Sequence, residues 1–313
     1  MRKYIEVLGN REGVNIVSNE LFAFVVLQYC AMQETLNCIE SIRKYCDDNY
    51  IIIVVDNGSP NGAGEKLKSI CTDDKCKVII NENNLGFAKG NNVGFRYAKK
   101  LGAKYICMMN SDTCLVDNSF IDQIKSDYNK YRYYVLGPNV ILNQPEVRVN
   151  PLGTHVLEKR EANKKIVSLV IQILLVRIGL EKLVFAIQKK KHKCVKCNNE
   201  EYNRYKYYEN VKLHGCCWIF SPSYIEDYNG LDEDTFLYLE EDMLFLEMRR
   251  HAHLMLYSPN VKIYHAEDAS TNYISSGRKK TLFVLKNHLN SMVAIVKRIK
   301  KLDKEDAERK IVK

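Results

Sequence analysis

The chain has 313 residues, enough for a full hydrophobic core in one large or two modest domains. Its 47 Lys and Arg against 38 Asp and Glu leave a formal charge of +9, which favours an acidic partner: a phosphate-bearing substrate, a membrane surface or a nucleic acid. Eleven cysteines, an odd number scattered as at Cys30, Cys38, Cys107 and Cys217, exclude a disulfide framework and read as small, reduced core residues.

Residues 1–20 show no clear period, and the start, Met1 to Val7, lacks the apolar run of a signal peptide, so the expectation is a cytoplasmic catalytic part. Leu21 to Tyr29 reads as a buried strand. Leu36, Ile39, Ile42 and Tyr45 then recur at helical spacing, with Glu34 or Thr35 marking the start. Ile51 to Val55 is a β-branched strand closed by Asp56-Asn57-Gly58-Ser59, and Lys77 to Ile80 makes a third strand. Phe87 to Leu101 reads as a helix and Tyr105 to Met109 as a fourth strand. Strands alternating with helices at this pace mean βαβ units and a parallel sheet.

Polar clusters follow the strands. Asp56 is placed to accept hydrogen bonds from a ribose or base, and Gly58 lets the next turn pass close to a ligand; the same four residues also make an ordinary turn. Asn83 to Asn92 opens the helix with glycines, amides and Lys89, yet matches neither a Walker loop nor the dinucleotide glycine fingerprint. Asn110-Ser111-Asp112 ends the fourth strand abruptly. A carboxylate at that sheet edge suits a Mg²⁺ or Mn²⁺ ion held against a diphosphate, although taken singly such a triplet is a common turn.

Taken in order, Val54-Val55-Asp56-Asn57-Gly58-Ser59, Asn84-Leu85-Gly86-Phe87-Ala88 through Asn92, and Met109-Asn110-Ser111-Asp112-Thr113 resemble glycosyltransferase family 2, in its rhamnosyltransferase-like branch. The resemblance runs over roughly residues 21 to 140 and 211 to 268. It implies an α/β fold of the GT-A type, a Rossmann-like, mostly parallel central sheet flanked by helices. It implies that Asp56 contacts the nucleoside, with Asn57, Asn84, Gly86, Lys89, Asn92, Asn110 and Ser111 as the donor-binding set. Asp112 becomes the last residue of an Asp-x-Asp equivalent whose first member here is Asn110.

Tyr133 to Val140 reads as another strand, ending in Gly137-Pro138. Residues 155–210 are strongly basic, and within them Ile166 to Ile187 is apolar but broken by Arg177, Gly179, Glu181 and Lys182, which argues against a spanning helix. Lys165, Ser168 and Gln172 share one face, so one reading is an interfacial helix whose flank, Lys189 to Lys193, favours anionic lipid. The other is a helical pair packed on the catalytic domain or on a second subunit, making a homo-oligomer. Cys194 and Cys197 with His192 have metal-ligand spacing, but no second close pair completes a four-ligand zinc site.

The pattern resumes at Leu213 to Phe220, where the resemblance places Gly215 and Trp218 beneath donor sugar and acceptor; the ring equally suits a core. Gly230 to Asp242 ends in Glu240-Glu241-Asp242, acids suited to a helix start. The family's Glu-Asp pair maps onto Glu241-Asp242 and makes Asp242 the first choice of catalytic base, while alignment from Phe236-Leu237-Tyr238 shifts the pair to Glu240-Glu241. Glu240 is otherwise expected in the acceptor pocket. Leu254 to Leu256 and Val261 to Tyr264 read as short strands, the second ending at His265, which the resemblance makes the other metal ligand. The tail from Lys279, with Leu282, Leu285, Leu289, Met292 and Val296, reads as a basic amphipathic helix for a membrane surface or a subunit contact.

The expected division is an N-terminal segment (1–20), a nucleotide-sugar-binding half (21–154), a basic helical insertion (155–210), an acceptor or catalytic half (211–270) and a C-terminal helix (271–313). The expected activity is an inverting, Mn²⁺- or Mg²⁺-dependent transfer of a sugar from a UDP- or dTDP-sugar to a hydroxyl of a cell-surface, capsular or lipid-linked glycan, at the inner face of the cell membrane. Rhamnose is suggested by the branch alone. The rival expectation is an inactive nucleotide-binding or membrane-surface scaffold. Nucleic acid is not an expected partner, because the basic residues concentrate in insertion and tail and no recognised motif is present.

Overall fold

The computed structural model describes residues 20–47, 49–144, 147–185, 202–266 and 277–311. In chain order the elements are β1 (Phe22–Gln28), α1 (Met32–Tyr45), β2 (Tyr50–Asp56), α2 (Ala63–Ile70), β3 (Cys76–Ile80), α3 (Phe87–Lys100), β4 (Tyr105–Asn110), β5 (Thr113–Leu115), α4 (Phe120–Tyr131) and β6 (Val135–Ile141). After these come α5 (Lys159–Arg177), β7 (Tyr208–Glu209), β8 (Cys217–Phe220), α6 (Pro222–Asp227), α7 (Glu240–Arg250), β9 (Met255–His265) and α8 (Arg278–Ile311). They form one mixed sheet in the order β3-β2-β1-β4-β8-β6-β9-β5, with β7 against β9. The first four strands are parallel, and antiparallel pairing begins where β8 enters beside β4.

The apolar runs are continuous because both faces of the sheet are covered. On β1, Phe22, Phe24 and Val26 point to a core closed by Ile39 and Ile42 of α1, Leu67 of α2 and Ile124 of α4. Ala23 and Val25 point to the opposite core, closed by Phe95 of α3 and Phe245 of α7. The nine described cysteines are all free thiols and eight are buried, as expected of core residues.

Several boundaries differ from the sequence expectation. Helix α1 starts at Met32 rather than near Glu34 or Thr35, without a side-chain cap, and Thr35 sits within its first turns, donating its hydroxyl to Ala31 O at 2.6 Å. Helices α2 and α4 and strand β5 are additions to the sequence expectation; α2 has 8 residues and β5 has 3. Gly137-Pro138 does not end β6: the strand continues to Ile141 across a register shift in which Pro138 pairs with Ser258 and Asn139 with Lys262. The two short strands foreseen near 254–264 are therefore one, β9, irregular at that shift.

A third core lies outside the sheet. Ala162 of α5, Met243 and Leu246 of α7, and Met292, Ile295, Ile299 and Leu302 of α8 pack together, and Arg298 ties α8 to α7 through Glu247 at 2.6 Å. The tail helix thus packs much of its apolar face within the chain, with Leu285, Met292 and Val296 buried. The polar row of α5 is not its outer face. Gln172 is buried and donates to Ser168 at 3.2 Å, whereas Val167, Ile171 and Leu174 point outward. Lys189 to Lys193 and the His192, Cys194, Cys197 group lie outside the described residues. Among those described, no helix is long and apolar enough to cross a membrane.

Candidate active site

The polar clusters after β2 and before α3 are largely closed on themselves. Asp56 is 1% exposed and its carboxylate accepts from Gln28 Nε2, from Ser59 Oγ and, at 3.2 Å, from Ser59 N–H, so the expected nucleoside contact would have to displace one of these donors. Asn57 donates to Asn84 Oδ1 and Gly86 O and accepts from Asn81 and the Leu85 N–H, bracing the loop rather than facing a ligand. Gly58 is required by protein, not ligand: at φ +73° an added Cβ would lie 2.5 Å from the Asn83 carbonyl carbon. Gly86, at φ +82°, presses against Phe236, whose carbonyl accepts from Phe87 N–H at 2.7 Å.

Asn92 is also an internal latch, not a donor contact. Its amide nitrogen donates to Leu231 O at 2.8 Å and Glu233 Oε1 at 2.9 Å, and its oxygen accepts from Leu231 N–H at 2.7 Å. Lys89 and Asn84 stay exposed at the loop, and Ser111 is buried at the end of β4.

Asp112 and His265 come together because β5 pairs antiparallel with the end of β9, setting Thr113 opposite His265. Asp112 Oδ1 lies 3.3 Å from His265 Nε2, and both side chains are mostly buried. His265 Nδ1 is buried with no hydrogen-bond partner among the described residues, so the ring's one polar engagement is toward Asp112. One carboxylate and one imidazole are a sufficient protein share for a Mn²⁺ or Mg²⁺ ion that takes its remaining ligands from phosphate and water, so the residues fit such an ion. No cluster of three or more ligating side chains occurs among the described residues.

Residues 214–216 join this pair to the acids. His214 packs its ring 6.0 Å from that of His265, Gly215 N–H donates to Glu241 Oε1 at 3.2 Å, and Cys216 O accepts from Asn110 N–H at 2.9 Å. His214 was not foreseen. Burial first, then the neighbouring His265, pushes it down to about 4, so its ring is neutral near pH 7; Cys216 N–H donates to its Nδ1.

Tyr238 and Leu239, at φ +74° and +68°, make the strained turn that starts α7, putting Glu240, Glu241 and Asp242 in its first turn. The three have different surroundings. Asp242, the first choice from sequence, turns away to an ion pair with Lys212 at 2.8 Å, another residue the sequence did not flag. Glu241 faces Gly215, and burial followed by the charge of Asp242 holds its carboxyl above the usual range. Glu240 is pushed to about 7 by burial and then by Glu241, and its Oε1 has no hydrogen-bond partner among the described residues. Trp218 is no sugar platform: at 0% exposure it lies in the core, edge-on to Phe87.

The profile of the family described as Glycosyl transferase family 2 matches residues 25–229. The bifunctional glycosyltransferase pgtA of Dictyostelium discoideum is 33% identical over 88 residues, 28% of this chain and 11% of that protein. The S. aureus TarS 1–349 structure in complex with UDP-GlcNAc superposes with a TM-score of 0.50 at 13% identity, over 85% of this chain and 66% of that one; the same fragment without that ligand gives 0.49 over 78% and 60%. The chain thus spans less than two-thirds of the TarS fragment and about a tenth of the Dictyostelium protein, and at such identity the TarS likeness establishes a shared GT-A fold. With the family profile covering most of its length, from β1 past α6, the chain belongs to glycosyl transferase family 2.

Proposed function

We propose that this protein transfers a sugar from a nucleoside diphosphate sugar to a hydroxyl of a glycan acceptor, with inversion, and that Glu241 is the general base. The observation that carries this reading is the segment 214–216, which sets the Asp112–His265 pair and Glu241 on neighbouring residues of one short stretch. Glu241 takes precedence over Asp242 because the Asp242 carboxylate is engaged by Lys212 at 2.8 Å, whereas Glu241 faces Gly215 and burial holds its carboxyl above the ordinary range.

In the proposed step the acceptor oxygen attacks the anomeric carbon, its proton passes to the Glu241 carboxylate, and the bond to the diphosphate breaks with its electron pair leaving on phosphate. A single displacement needs no protein nucleophile. The nearest thiol, Cys216, fits that economy, since burial pushes it well above the thiolate range. A Mn²⁺ or Mg²⁺ ion held by Asp112 and His265 would supply positive charge against the departing diphosphate.

The TarS fragment was crystallised in complex with UDP-GlcNAc, which makes UDP-sugars the first donors to test and dTDP-rhamnose, suggested by the sequence branch, the second. The test is a thermal-shift panel of UDP, UDP-sugars and dTDP-sugars with and without Mn²⁺, followed by transfer or hydrolysis of the stabilising donor. One donor is expected to raise the melting temperature only when Mn²⁺ is present, and to be turned over. A protein that neither binds nor cleaves any of them overturns the proposal and leaves the scaffold reading.

A further inference from the structure

Helix α5 carries a second apolar stripe besides the one it buries. Ala162, Ile173 and Val176 pack inward, toward α8. On the opposite side Val167, Ile171, Leu174 and Ile178 are 60, 52, 52 and 72% exposed. Their spacing of three and four residues makes one continuous row. Leu180, Leu183 and Phe185 extend the exposed apolar surface just beyond the helix, so that this short region holds eight of the fifteen exposed large hydrophobic residues described. Scattered exposed leucines need no explanation; a contiguous row does.

Charge says what kind of surface would cover it. Arg160 and Lys164 stand on the same outward row about two turns and one turn before Val167, and with Lys159 and Asn163 they border a shallow open depression there. Lys159, Arg160 and Lys164 are exposed and form no ion pair among the described residues. Of the acids nearby, Glu161, off the row, is engaged by Lys165 and His155 and Glu181 by Arg278, while Glu158 is the exposed N-cap residue just before Lys159. The outward face of α5 is therefore cationic at its start and apolar along the rest, with no acid on it.

We infer that α5 lies flat on an anionic lipid bilayer, Val167, Ile171, Leu174 and Ile178 entering the acyl boundary while Arg160 and Lys164 meet the lipid phosphates. This arrangement of an apolar face beside free cations is what an interfacial helix requires, and it would leave the bilayer polar atoms satisfied while removing the row from water. The exposed cations at the start of the row complement anionic headgroups, which favours an anionic bilayer as its cover. The inference stands apart from the proposed sugar transfer and does not depend on it.

The experiment is flotation of the full-length protein with vesicles of phosphatidylcholine alone and with about one-third phosphatidylglycerol added. Wild type is expected to float with the anionic vesicles only, and to be released by high salt. The double variants I171D/L174D and R160E/K164E change exposed side chains, and each is expected to weaken vesicle binding by about tenfold or more while leaving the melting temperature unchanged. Three outcomes overturn the inference: wild type that does not float, variants that float as well as wild type, or a wild-type dimer by light scattering that I171D/L174D renders monomeric, which would assign the row to a second copy.

Discussion

The two halves of the sheet use polar residues in opposite ways. In the parallel half, the buried amides and carboxylate that look like ligand contacts are occupied by protein: Asp56 by Gln28 and Ser59, Asn57 by the 81–86 loop, Asn92 by Leu231 and Glu233. In the half built around β8, α7 and β9, polar atoms are held with their needs unmet. Among the described residues His265 Nδ1, Thr235 Oγ1 and Glu240 Oε1 are buried without hydrogen-bond partners, against the single Asn91 Oδ1 in the parallel half; two neighbouring glutamates titrate above their ordinary range, and the turn that aims them is strained. A buried polar group with its partners in place builds rigidity, and one left wanting is kept only where something else maintains it. Under the proposed function the first half serves as scaffold and the second as the reactive side, and the two join at Gly86–Phe236 and Asn92–Leu231.

The sharpest way to break this contrast is at the acids. Glu241→Gln is expected to lower kcat by about 10³-fold with the fold intact, while Asp242→Asn costs roughly tenfold, because it loses an ion pair and not the base. Equal losses, or the reverse order in a steady-state transfer assay, would return the role to Asp242.

Next in size is the joint between the halves. Gly86→Ala must place a methyl group 2.2 Å from Phe236 O in a backbone conformation that alanine resists, and a loss of about 3 kcal/mol in urea unfolding is expected. A near-neutral result would mean the 236–239 turn is free to move, and the scaffold does not position the acids.

The smallest effect sharpens the picture of Glu240. Its carboxyl keeps a proton to about 7 in the fold but loses it near the ordinary value of 4.5 when unfolded. Between those values the folded state binds more protons, so stability falls as pH rises. Glu240→Gln removes that slope. Its melting temperature should gain on wild type at pH 8 relative to pH 4, by the equivalent of on the order of 2 kcal/mol. A difference that does not change with pH would mean that Glu240 is solvated.

Much of the fold was legible because it is written in local periods. The runs at 22–28, 50–56 and 105–110 are apolar up to a polar last residue, since a strand covered on both faces has no polar side to show, and α3 begins at Phe87 as its polar loop predicted. The expected convergence of Asp112 and His265 has a geometric counterpart: Asp112 lies in the turn between β4 and β5, His265 ends β9, and the pairing of β5 with β9 sets them 3.3 Å apart. The roles of Asn92, Lys212 and Trp218 were not legible, because each depends on a partner far along the chain or across the sheet: Leu231, Asp242 and Phe87.

By itself, then, the amino-acid sequence determined the four parallel strands, helices α1 and α3 and the order of the polar residues that follow them, as well as the family, since these follow from side-chain period and motif order. Only the tertiary structure decided which acid of 240–242 faces Gly215, which polar residues are consumed by the scaffold, and which side of α5 is left bare. Those are properties of neighbours rather than of neighbouring positions. A one-residue step around a helix start turns a carboxylate by about 100°, and no pattern in the chain says what stands at the end of that turn.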